Sequence, residues 1–112
     1  MSKKDDQLRI NEVCERAWQK AMEEFHKTAN IISAKNLRSC CAKVYETDNF
    51  FILVSYFTPV AALSKFDNHV YDMLRYEYGY TATSAQHIAK FAHDYAGINF
   101  YSFRFTWRYV KN

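Results

Sequence analysis

Residues 50–57 read Phe50-Phe51-Ile52-Leu53-Val54-Ser55-Tyr56-Phe57, a run that is apolar on both faces. Successive side chains of a strand point to opposite sides of its sheet, so a run of this kind belongs to an interior strand. Upstream, residues 38–46 form a second β-rich run, and Glu46-Thr47-Asp48-Asn49 between the two has the composition of a hairpin turn. Downstream, Pro59 has no N–H to give a ladder, so the chain is expected to bend or break there. Residues 60–66 and 69–76 then make a second hairpin across Asp67-Asn68.

Helical spacing flanks these strands. Ile10, Val13, Cys14, Ala17, Trp18, Ala21, Phe25 and Ala29 recur at intervals of three and four, which predicts an amphipathic helix over 6–33. Asp5 and Asp6 suit its N-terminal end, and Glu12 with Arg16 and Glu23 with Lys27 are favourable i,i+4 pairs. Its charged side reads as a solvated face. Its apolar stripe can pack on its own sheet or on a second copy, so a homodimer is one expectation for the oligomeric state. A second helix follows Tyr80, with Ile88, Phe91, Ala92 and Tyr95 on its stripe. Thr83 and Gln86 have capping-box spacing, and Gly97 is placed to end the helix in a left-handed conformation. His87 falls one turn inside the helix start, where the dipole disfavours the imidazolium form.

The last strand, 99–110, alternates: Tyr101, Phe103, Phe105, Trp107 and Tyr109 on one face, Ser102, Arg104, Thr106 and Arg108 on the other. With two amphipathic helices to cover, the aromatic row reads as core. The polar face, with Lys111, is left as the candidate partner-binding surface. Arg104 and Arg108 lie roughly 13 Å apart on it, a span that suits phosphates or a partner's carboxylates. The expected fold is α+β in the order α-β-β-β-β-α-β. It is a single mainly antiparallel sheet of four to five strands, with both helices packed on one face, in one domain spanning residues 1–112.

Composition narrows function mainly by exclusion. The 112 residues, 49% hydrophobic, hold only two glycines and one proline, which leaves no room for a glycine-rich phosphate loop. Residues 1–97 carry 12 basic and 12 acidic side chains, so the whole +3 net charge sits in Arg104, Arg108 and Lys111. That patch is too weak for a dedicated duplex binder, although a weak nucleic-acid contact is compatible with it. Cys14, Cys40 and Cys41 make neither a disulfide framework nor a zinc pattern. No apolar run approaches the ~20 residues of a membrane span, and the chain reads as cytoplasmic with reduced thiols. No carboxylate pair, His pair or nucleophile motif stands out; Cys41 and His87 are the remote catalytic candidates. No cofactor or metal is expected.

Two stretches carry a resemblance: Ser55-Tyr56-Phe57-Thr58-Pro59-Val60-Ala61, and Tyr80-Thr81-Ala82-Thr83-Ser84-Ala85-Gln86-His87-Ile88-Ala89-Lys90-Phe91. Together they resemble a family of small uncharacterised proteins of Firmicutes and of their phages and plasmids. Members of that family pair a Ser-Tyr-x-Thr-x-Val-Ala strand with a Tyr-Ser-x-Thr-Thr/Ser-x-x-His-Ile-x-x-Phe helix start. Thr81 stands where the family usually has Ser. The family brings no activity, but its setting implies a small binding protein that acts on a host protein or protein–nucleic acid complex. The expected function is therefore a non-enzymatic binding module that inhibits or modulates host defence, with anti-CRISPR activity as the concrete case. The alternative is a single-stranded nucleic-acid binder that uses an exposed sheet.

Overall fold

The computed structural model describes residues 3–38, 41–77, 81–97 and 106–110. Helix α1 spans Lys3–His26 and a 3-10 turn Thr28–Asn30. Strands β1 Ser33–Asn36, β2 Ala42–Glu46, β3 Phe50–Ser55, β4 Thr58–Ser64 and β5 Val70–Asp72 follow. A short α2, Leu74–Glu77, leads to α3, Ala82–Ala96, and then to β6, Thr106–Arg108. The sheet runs in sequence order, β1 to β5 as an antiparallel meander and β6 parallel to β5. A parallel neighbour needs a crossover, and α3 lies within it.

The fold is α+β with the expected succession of helix, strands, helix and last strand. The sheet, however, has six strands where the sequence reading has four to five, β1 being the addition, and the two helices do not share a face. On β3 the alternate residues Phe50, Ile52 and Val54 pack with Cys14, Trp18 and Ala21 of α1, together with Ala62 and Tyr71. Leu53, with Ala61, Leu63 and Val70, packs instead against Ile88, Phe91 and Ala92 of α3. The sheet is thus the middle of three layers. The physical reason lies in β3 itself, because a strand apolar on both sides must be covered on both. Ile52 and Leu53 are each fully buried, and each contributes about 1.5–3 kcal/mol of apolar burial, one to each layer. Helix α1 therefore packs on its own sheet.

Several boundaries differ from the sequence reading. Helix α1 ends at His26, and by Ile32 the chain has joined the sheet, the Ile32 N–H donating to Glu46 O at 2.7 Å. The β-branched pair Ile31-Ile32 favours that extended course. Pro59 does not break the chain but sits inside β4 opposite Val54, next to a register shift between Leu53 and Val54. Such irregularities are where a sheet tolerates a missing N–H. The β3–β4 reversal comes earlier, at Tyr56-Phe57, with Ser55 paired to Thr58. Strand β5 stops at Asp72, whose Oδ1 accepts from Leu74 N at 3.1 Å and opens α2.

Side chains fasten both helices to the sheet. The Glu24 carboxylate of α1 accepts from Thr47 Oγ1 at 2.7 Å, Asn49 N at 3.0 Å and Asn49 Nδ2 at 2.8 Å, all in the β2–β3 turn. Burial opposes its ionisation, yet these bonds outweigh it and hold its pKa below the ordinary value. Helix α3 is capped by Thr81, whose side chain accepts from Ser84 N, and not by Thr83. Thr83 and Gln86 are exposed. At the other end Gly97 has φ 66°, with its N–H turned back to Ala92 O and His93 O.

No atom within 4 Å would meet a Cβ at Gly97, so only backbone strain opposes substitution there. Gly97→Ala should cost about 1 kcal/mol by urea denaturation, and Gly97→Asn less, because Asn tolerates the left-handed region.

Candidate functional site

Ser55 is the one polar side chain in the run Phe50–Ser55, and it closes β3 on the side covered by α3. Helix α3 turns Ser84, His87, Ile88 and Phe91 inward at spacings of three and four. The first two meet Ser55. Its Oγ lies 2.9 Å from Ser84 Oγ and 2.8 Å from His87 Nδ1. Ser55, Ser84 and His87 are all buried, at 1%, 1% and 3% exposure. Either imidazole tautomer satisfies the chain of bonds, because a hydroxyl both donates and accepts. Burial lowers the His87 pKa, Lys90 lowers it further, and the ring is held neutral.

A serine hydroxyl on an imidazole nitrogen is also the geometry of an activated nucleophile. Here both hydroxyls are sealed beneath α3, so an acyl group could reach Ser55 Oγ only by displacing the helix. What the cluster does as it stands is lock the end of β3 to α3. It also supports the turn that follows, since the Tyr56 ring lies 5.8 Å from the His87 ring, centre to centre. Tyr56 has φ 58°, a left-handed conformation that bulky residues rarely adopt, and its N–H donates to Cys41 O at 2.8 Å. Tyr56 is 55% exposed and Phe57 97%. A strained backbone held by a buried polar network therefore presents two aromatic side chains to solvent.

The expected partner surface is only partly described. Ser102, Arg104 and Lys111 lie outside the described residues, as do Cys40 and the aromatic row from Tyr101 to Phe105. Thr106 begins β6. Arg108 is not a solvated contact: its Nε donates to Asp72 Oδ2 at 3.1 Å, and Asp72 is 5% exposed. Asp72 points from β5 into the sheet's packed surroundings, and a buried carboxylate draws in the nearest cation. Burial raises the Asp72 pKa, in spite of the Leu74 N–H and the Arg108 charge, which lower it. Beyond Arg108, Tyr109 packs into the α1 layer and meets the Tyr76 ring at 5.0 Å. Both faces of β3 and β4 are covered, so these strands offer no open platform for bases.

Among the described residues no cluster of His, Cys, Asp and Glu could hold a metal, and no helix is long and apolar enough to cross a membrane. Cys14 is buried, which pushes its pKa up to about 12, and Cys41 is exposed. Sequence reasoning singled out His87 but missed Ser55 and Ser84. The available signal was a lone hydroxyl ending an apolar run, and a second one three residues before the histidine. No protein-family model, curated protein or solved structure matches the chain.

The neutral, buried His87 couples stability to pH. Unfolded, the ring takes up a proton near the ordinary value of 6.5, whereas the folded pKa lies below it. Its contribution is complete above pH 6.5 and falls as the pH drops toward the folded value. His87→Gln should flatten that part of a plot of Tm against pH, and Ser55→Ala should cost about 1–3 kcal/mol by orphaning two buried partners. Arg108→Met should destabilise by about 1–3 kcal/mol in urea, less than for a fully buried pair because Arg108 is half-buried. That deficit should narrow as the pH falls and Asp72 takes up a proton.

Proposed function

We propose that the chain is a non-enzymatic protein-binding module whose contact is the Tyr56-Phe57 turn. The observation that carries this reading is the presentation of Phe57, 97% exposed, on a turn whose preceding residue is held at φ 58°. Left-handed backbone costs about 1–2 kcal/mol at a residue with a side chain, and exposed apolar surface gains nothing from folding. Strain of this kind concentrates at functional sites. Docked in a partner's pocket, one phenylalanine ring contributes about 1.5–3 kcal/mol of burial, the scale of an interface hot spot. The two stretches that carry the family resemblance supply the parts, since Ser55 and Tyr56 come from one and Ser84 and His87 from the other.

That resemblance also supports a partner class: a host protein or protein–nucleic acid complex met in the cytoplasm, with a defence nuclease of the CRISPR type as the concrete candidate. Arg104 and Lys111 join the reading as charged contacts. Arg108 does not, being committed to Asp72.

The test is affinity capture from host lysate with the parent chain, Phe57→Ala, and Phe66→Ala as an equally exposed aromatic control. Phe57→Ala should leave Tm unchanged and reduce capture of a specific protein at least tenfold, while Phe66→Ala retains it. Equal capture by all three removes the turn as the contact, and retention of nucleic acid alone returns the single-strand-binding alternative.

A further inference from the structure

A groove of about 600 Å³ runs between α1 and the turns at the far end of the sheet, within the range of small-molecule sites. Its floor includes the buried rings of Phe50 and Tyr71. One wall is a single face of α1, where Arg16 and Lys20 stand one turn apart. The opposite wall carries Phe66, a ring 95% exposed on the β4–β5 turn.

The polar groups of the groove are unequally committed. Glu24 already accepts three hydrogen bonds from Thr47 and Asn49. Asp67 accepts from His69 N at 3.0 Å, with His69 Nδ1 at 3.7 Å. Arg16 and Lys20, by contrast, enter none of the ion pairs among the described residues. The groove's uncommitted hydrogen-bonding capacity is thus mainly donor capacity. Guanidinium and ammonium groups side by side suit a carboxylate or phosphate, which Arg can grip through two parallel N–H bonds. An apolar floor with an exposed phenyl ring above it suits an aromatic body.

We infer that this groove is a binding site for a small aromatic anion, its ring against Phe66 and the floor and its charge on Arg16 and Lys20. The site is independent of the Tyr56-Phe57 contact. Phe57 precedes β4 and Phe66 follows it, so the two features lie roughly 20 Å apart along the strand.

The experiment is an amide NMR titration of the full chain with phenyl phosphate, benzoate, phenol and inorganic phosphate. Phenyl phosphate or benzoate should produce saturable shifts around residues 16–20 and 64–67 with Kd below about 1 mM. Phenol and inorganic phosphate should bind at least tenfold more weakly, since each offers half of the match. The double variant Arg16→Ala/Lys20→Ala, and separately Phe66→Ala, should weaken binding at least tenfold with unchanged Tm, all three side chains being at the surface. The inference is overturned by absence of saturable shifts at the groove or by unaltered binding in these variants. Inorganic phosphate binding as tightly as phenyl phosphate would overturn it too, by leaving a bare anion site.

Discussion

Strand β3 has no side that can face water, and the arrangement of the rest follows from that constraint. Phe50, Ile52 and Val54 require one cover and Leu53 another, so the sheet becomes a middle layer with α1 above and α3 below. Ser55, at the end of the same strand, is then buried whether or not it has a partner. A lone hydroxyl in that position would cost about 1–3 kcal/mol. Ser84 and His87 remove the cost and in doing so fix which turn of α3 lies over which residue of β3. Apolar packing alone would specify that alignment poorly, because a helix can slide along a greasy strand. A directional hydrogen bond cannot be satisfied after such a slide.

The far end of α3 is held by different means. Arg38 donates to Asp94 through Nε at 2.7 Å and through a terminal nitrogen at 2.6 Å. The bonds from Arg38, followed by one from His93, bring the Asp94 pKa down to about 2. This pair is largely exposed and so contributes little net stability; its effect is to set orientation. Together with Glu24 on α1, these contacts fasten each helix to a turn or loop of the sheet, and Ser55 is the one polar side chain by which β3 itself takes part.

Much of this was legible in the sequence, and the limits have physical causes. The two hairpin turns, the amphipathic stripes and the left-handed glycine all depend on local spacing, which a sequence displays directly. The division of the helices between faces was implied by a run apolar on both sides, yet one cannot read from periodicity which cover each face receives. The capping residue was misread because Thr81 and Thr83 both precede a helical run, and only the backbone at Thr81, with φ −131° and ψ 141°, decides between them. The ion pair of Arg108 was hidden for a related reason. Alternation put it opposite the aromatic row, but whether such a face meets solvent depends on the neighbouring strand, and there Asp72 is waiting. The serine pair is separated by 29 residues, and no pattern internal to either segment reveals that they touch.

Two-sided burial also dictates where binding can occur. A sheet open on one side can use that side as a platform; with β3 and β4 covered above and below, what these strands leave accessible is their ends and the seams beside the helices. Three exposed large aromatic side chains among the described residues fall there, while a fourth, Tyr76, lies on α2. Tyr56 and Phe57 sit where β3 turns into β4, and Phe66 where β4 turns into β5. Neither position is needed to bury the core, since both turns could be closed by small polar residues at lower cost in strain and exposure. The Phe57 and Phe66 rings, at the two ends of one buried strand, therefore add almost no buried area to the fold, which leaves them accessible to the contacts proposed above.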